Sequence, residues 1–198
     1  MAQRYFYNET IDNFLQTQDD EIIGKLTTAH IANFASLQGT QAQAWEEEIV
    51  LLREILEEYQ GRGRIFFEYI IPRIGKRIDV VLLIDGVIFL LEFKAFNEQY
   101  TKHDITQVWD YALDLKNFHQ PSHQLLLVPV LVATKANSSK IEIISTSHQD
   151  NLVNPIKTNA KDLKKTIDLV LNFFSSNDFV DSDNYVKGSY SPTPTIIE

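Results

Sequence analysis

From Arg77 to Lys94 the chain reads R-I-D-V-V-L-L-I-D-G-V-I-F-L-L-E-F-K, two apolar runs joined by Asp85-Gly86. An Asp-Gly pair between apolar runs signals a tight β-hairpin, because both central residues of a type I′ turn need positive φ. With those two residues as the loop, Ile84 faces Val87, and counting outward pairs Leu82 with Phe89, Val80 with Leu91 and Asp79 with Glu92. Both strands are apolar on both faces, the pattern of a sheet covered on each side. Arg64 to Ile71, rich in β-formers and closed by Pro72, predicts a third strand. Leu125 to Ala133 predicts a fourth, in which Pro129 requires a bulge or a local edge.

Helical periodicity appears elsewhere. Thr40-x-x-Gln43 makes a capping box before the stripe Trp45, Ile49, Leu52, Ile55, Leu56 and Tyr59, which ends ahead of Gly61. Asp104 caps a predicted helix running to about His119, stopped by Pro121, and a last helix spans about Asn159 to Phe174. Ile11 to Leu15 and Asp19 to Lys25 read as short helices, and Ile141 to Ile144 as a short strand. Strand, helix, strand implies a right-handed crossover, so Leu125 to Ala133 should pair in parallel with Val87 to Lys94. The expected fold is therefore α/β: a mixed β-sheet flanked by helices, core order αβββαβ. Residues 1–39 form an N-terminal helical extension in this reading, 40–176 the core and 177–198 a polar, turn-rich linker.

Charge on this apolar frame is what suggests chemistry. Alternation places Asp79, Glu92 and Lys94 on one face at the open end of the hairpin, with Arg77 opposite Lys94. Like charges directly opposed destabilise a strand pair and call for compensation. One solution is a divalent cation, since Mg²⁺ is commonly held by one or two carboxylates with water and phosphate in its other positions. The other is a pair of ordinary salt bridges, Arg77 with Glu92 and Lys94 with Asp79. Glu48 falls inside the apolar stripe of its helix, where a carboxylate needs a partner. Glu68 is either a further ligand or the ion-pair partner of Arg73 or Arg77. Gln107 and Tyr111, at i and i+4, share a helix face, and an amide with a phenol can hydrogen-bond a lysine, a water or a phosphate.

Asp79 followed by Glu92-Phe93-Lys94 after a short hairpin resembles the signature of the PD-(D/E)XK nuclease superfamily, with Ile78-Asp79 in place of Pro-Asp. Gln43, Trp45 and Glu48, the run F-E-Y-I-I-P-R from Phe67 to Arg73, and Gln107, Tyr111, Phe118 and His119 extend the likeness. Together they resemble the nuclease-like domain that precedes a superfamily 1 type ATPase in bacterial helicases related to the Schlafen ATPases. The resemblance implies a restriction-endonuclease-like fold and a Mg²⁺- or Mn²⁺-dependent endonuclease acting on DNA rather than RNA. It implies metal ligands at Asp79, Glu92, the Phe93 carbonyl and Glu48, a catalytic Lys94, and support from Gln107 and Tyr111. Arg73, Lys76 and Arg77 would hold backbone phosphates. It also implies that Tyr190 to Glu198 leads towards an ATPase and helicase domain of a longer chain. No Walker A sequence occurs in these residues.

Composition sets the remaining bounds. At 198 residues, 44% hydrophobic and 11% aromatic, the chain is long enough for one domain with a real core. It has no cysteine, which excludes disulfides and thiolate metal sites. No apolar run approaches the roughly 20 residues of a membrane span, and the start M-A-Q-R-Y-F-Y-N lacks the apolar stretch of a signal peptide. A cytoplasmic protein without membrane attachment is expected. The net charge of −9 argues against indiscriminate nucleic-acid binding, although five basic residues cluster between Arg62 and Arg77. Two rival readings of the same site remain: a nuclease-fold module that binds nucleic acid for its ATPase without cutting, and a protein-interaction domain.

Overall fold

A computed structural model of the chain describes residues 4–34, 39–147, 150–174, 185 and 187–191. Its strands are β1 (Tyr7–Thr10), β2 (Gly63–Ile71), β3 (Lys76–Ile84), β4 (Val87–Lys94), β5 (Leu126–Ala133) and β6 (Ile156–Thr158). Its helices are α1 (Ile11–Gln16), α2 (Asp19–Asn33), α3 (Gly39–Leu56), α4 (Lys102–Phe118) and α5 (Leu163–Phe173). The described strands form one six-stranded mixed sheet in chain order. β1 to β4 are antiparallel, and β5 and β6 continue in parallel. The expected sequence of helix, three antiparallel strands, helix and parallel strand is present as α3, β2, β3, β4, α4, β5.

The hairpin forms in the expected register, with Ile84 opposite Val87, Leu82 opposite Phe89 and Val80 opposite Leu91. Asp85 and Gly86 take φ of 47° and 81°, as the type I′ turn demands. β2 lies so close to β3 that a Cβ on Gly63 would sit 1.9 Å from the Leu83 carbonyl oxygen. Side chains of one face join α1, α2, α3 and α5 in a core that includes Phe14, Trp45, Leu52, Phe67, Leu82, Phe89 and Ile167. The other face packs Phe66, Leu83, Ile88 and Leu90 against Tyr111, Ala112 and Leu115 of α4.

Strict alternation fails at one place. Phe67 and Val80, paired across β2 and β3, belong to the first core, whereas Tyr69 and Ile78, the next pair of the ladder, belong to the second. Between them Glu68 and Asp79 are unpaired, and Glu68 has φ of 52°. A left-handed residue in a strand locally breaks the ladder and re-aims its neighbours, as bulges beside functional sites do.

Several expected elements differ. Residues 7–10 form an edge strand on β2 within the segment read as helical only. Ile141 to Ile144 makes no strand; its backbone is tied by single bonds from Asn154 to Ile144 and from Thr146 to Leu152. The strand beside β5 is β6 instead. Pro129 needs no bulge: Leu127 bonds outward to Asn151 and Val153, and β6 pairing begins only at Val130. Pro129, two residues after Leu127, directs its nitrogen to that same side, into the gap.

Part of the expected linker packs on the core. Tyr185 is fully buried, and the Ser191 and Gln120 amides bond to Phe118 and Ser189 carbonyls. Residues 177–184, 186 and 192–198 of that linker lie outside the described residues. Among the described residues, no helix is long and apolar enough to cross a membrane.

Candidate active site

The break at Glu68 and Asp79 opens the sheet where the signature residues converge. The β3–β4 ladder stops at Val80 and Leu91, so Asp79 and Glu92 are not a ladder pair as the counting implied. Asp79 turns its carboxylate into the opening, and Oδ2 accepts the Phe93 amide proton at 2.8 Å, in place of a backbone carbonyl. The Phe93 carbonyl belongs to the same strand end, where β4 pairs with Val132 of β5.

Glu92 and Lys94 alternate onto one face and meet α4 there. Lys94 Nζ donates to Glu92 Oε1 at 2.9 Å and to Gln107 Oε1 at 3.1 Å, and stands 3.6 Å from Asp104 Oδ1. Gln107 Nε2 donates in turn to Glu92 Oε1 at 2.6 Å and to Tyr111 Oη at 2.7 Å. The i, i+4 spacing of Gln107 and Tyr111 thus produces a fixed lysine, glutamate, glutamine and tyrosine cluster. Asp104 is not the helix cap. Thr101 is, its hydroxyl accepting from the Asp104 amide at 3.1 Å and donating to Asp104 Oδ2 at 2.7 Å. That reciprocal cap leaves Oδ1 facing Lys94, a contact the sequence reading missed and the spacing Thr101-x-x-Asp104 could have suggested.

Glu48, on the buried stripe of α3, faces the same opening from the other core. Burial pushes its pKa well up, and Asp79, Glu68 and Glu92 push it further by repulsion. Asp79 is raised by burial first, then by Glu92 and Glu68, against the opposing pull of the Phe93 amide and Lys94. Glu92 is raised by burial, partly offset by Lys94. Burial would lower Lys94, but Glu92, Asp79 and Asp104 outweigh it and raise the ammonium. Tyr111 is pushed up to about 12 by burial and by Glu92.

Glu68 follows the plainer of its two sequence readings. Its left-handed backbone aims the carboxylate at Trp45 Nε1 (2.8 Å), Gln41 Nε2 (3.1 Å) and the Arg77 guanidinium. Gln43, one of the residues that carry the resemblance, is exposed; Gln41 is the glutamine that reaches Glu68. Arg77 is also covered by the rings of Phe34 and Phe6, 4.5 and 5.2 Å from its guanidinium carbon. Of the three basic residues assigned to phosphate, Lys76 is exposed, Arg73 is half exposed and paired with Asp114, and Arg77 is enclosed.

A divalent cation fits this donor set. Glu48 Oε2 and Glu92 Oε2 are buried and accept no hydrogen bond among the described residues. Orphaned buried carboxylate oxygens carry a desolvation penalty that a cation would remove. Among the described residues no group of three or more His, Asp and Glu side chains forms a ready cage, whereas Mg²⁺ commonly needs only one or two protein carboxylates. Comparison with protein-family models, with curated proteins and with solved structures finds no match for this chain.

Proposed function

We propose that this domain is a restriction-endonuclease-like PD-(D/E)XK nuclease that hydrolyses phosphodiester bonds of DNA with Mg²⁺ or Mn²⁺. The observation that carries the reading is the convergence of Asp79, Glu92 and Lys94 at a break in the sheet, with Glu48 Oε2 and Glu92 Oε2 left without hydrogen-bond partners among the described residues. Asp79 and Glu92 with the Phe93 carbonyl would hold the cation, with Glu48 in support beside them, and when bound it would supply Lewis-acid polarisation of a phosphoryl oxygen.

The protein side chains do the rest. Lys94 is fixed by Glu92 and Gln107, so its charge is oriented before substrate arrives, ready to stabilise negative charge developing on the phosphoryl group. Gln107 locks that geometry, accepting from Lys94 while donating to Glu92 and Tyr111. Because Tyr111 Oη already accepts from Gln107, its own proton is what it offers to an incoming phosphate oxygen. Its raised pKa keeps that proton in place at neutral pH. Lys76 would contact the backbone, Arg73 would meet the nucleic acid beside it, and Arg77 would keep Glu68 in position. A helicase or ATPase domain on the same chain is the partner this reading expects.

One observation favours a rival. Lys94 is already neutralised by Glu92 and Asp104, which suits a catalytically silent nuclease-fold module that binds nucleic acid or a partner protein. Replacing Lys94 with Ala separates the two. The nuclease reading expects cleavage to vanish with the fold intact by circular dichroism; a Lys94→Ala protein that still cuts removes Lys94 from the chemistry.

A further inference from the structure

A cleft leads away from Gln107 and Tyr111 along the outer side of α4. One wall is Arg73, Ile74 and Lys76, and the far end is closed by Asp114 and Phe118. The Arg73 guanidinium carbon lies 4.0 Å from the centroid of the Phe118 ring, and its Nε donates to Asp114 Oδ2 at 2.8 Å. Asp114 is buried, and its other oxygen accepts from the Tyr190 hydroxyl at 2.9 Å. The planar cation is therefore held on one face by a ring and on its edge by a fixed carboxylate, while its side chain remains 55% exposed to the cleft.

The charges of this cleft decide what it suits. Arg73 and Lys76 are balanced by Asp110 and Asp114, so the formal sum of the lining is zero. A duplex is recognised largely through its phosphates, which needs net positive charge and gives steep salt dependence. A flat, immobilised guanidinium instead offers a stacking surface, and stacking requires an unpaired base. Part of the rotamer entropy of this arginine is already given up before binding.

We infer that the Arg73–Phe118 stack is the base-stacking end of a nucleotide subsite, which selects single-stranded nucleic acid and delivers its backbone to Gln107 and Tyr111. The inference rests on the nuclease-fold reading for the direction of the strand, but its test does not depend on cutting. Fluorescence anisotropy in EDTA with labelled oligothymidylate, oligouridylate and a duplex of equal length measures it directly, on wild type, Arg73→Lys, Phe118→Leu and Lys76→Ala.

Wild type should prefer the single strands. Arg73→Lys keeps the charge but loses the plane, so it should weaken single-strand binding about tenfold without changing the salt slope. Duplex binding should stay within about twofold. Phe118→Leu, which keeps the Arg73 ion pair, should weaken single-strand binding in the same direction. Lys76→Ala should instead lower binding to all probes and reduce the salt slope by about one. The DNA and RNA arms report which backbone the subsite accepts. Equal binding of duplex and single strands, or an Arg73→Lys protein that binds like wild type, overturns the subsite. If Arg73-dependent binding occurs and nothing is cut when Mg²⁺ is added, the subsite stands and the nuclease reading falls. Cutting without that dependence gives the reverse.

Discussion

Asp79 Oδ2 accepts the Phe93 amide proton at 2.8 Å where β3 and β4 stop pairing. A side chain thus replaces the ladder at the strand ends, and the same carboxylate is crowded by Glu92 and Glu68. Its structural and electrostatic roles are separable. Asp79→Asn keeps an acceptor oxygen and removes the repulsion, so its urea midpoint should equal or exceed that of wild type. Asp79→Ala leaves the Phe93 amide without that acceptor and should be about 1–3 kcal/mol less stable than Asp79→Asn. Both should abolish cleavage.

Glu68 carries the backbone irregularity that opens the sheet. Glycine normally weakens a strand relative to alanine, but at φ of 52° the preference should invert. Glu68→Gly and Glu68→Ala lose the same carboxylate, and the glycine variant should be about 1 kcal/mol more stable. Equal or reversed stabilities by urea unfolding would show that the Glu68 backbone is unstrained. Trp45→Phe, which takes one donor from that buried carboxylate, should cost about 1–3 kcal/mol.

Gly63 faces the Leu83 carbonyl with no space for a side chain. Gly63→Ala should destabilise the protein by about 1–3 kcal/mol through forced separation of β2 and β3. The same substitution at Gly24 on α2, where a Cβ meets nothing within 4 Å, should be neutral or stabilising. Thermal melts of the two variants compare them directly.

His119 is buried against Tyr185 and Tyr190, and its Nδ1 lies 2.7 Å from Ser122 Oγ. Burial, with the charge of Arg4, pulls its pKa down to about 3. In the unfolded chain the imidazole takes a proton below about pH 6.5. The native state refuses that proton until about pH 3, so the unfolded state binds more protons in this window and stability must fall as pH drops. The slope from His119 is about 1.4 kcal/mol per pH unit. His119→Gln lacks the titration, so its stability difference from wild type should shrink by that amount per unit between about pH 6 and pH 4. A pH-independent difference would contradict a buried neutral His119.

Much of this architecture could be read from sequence because local signals agreed with tertiary structure. Asp85-Gly86 set the hairpin register, and the i, i+4 pair Gln107 and Tyr111 landed beside Lys94. Other features lacked a local signature. A four-residue β1 and a three-residue β6 are too short for periodicity to show. Ile141 and Ile143 alternate like a strand, but their segment lies beyond the ladder. The left-handed Glu68 was invisible, since nothing in Phe67-Glu68-Tyr69 asks for positive φ. It is set by contacts with Trp45, Gln41 and Arg77, which lie far apart in sequence. For the same reason alternation placed Asp79 opposite Glu92, whereas the break turns its carboxylate onto the Phe93 amide.

In the proposed nuclease, carboxylates at this break hold a catalytic divalent cation. Calorimetric titration of Mn²⁺ and Mg²⁺ into wild type, Asp79→Asn and Glu92→Gln tests it most directly, with plasmid and single-stranded DNA cleavage assayed in the same buffers. Wild type should bind metal saturably, and both variants should lose binding together with cutting. Wild-type protein that binds neither metal would contradict it, and the cluster of Asp79, Glu92 and Lys94 would then be a salt-bridged hairpin end.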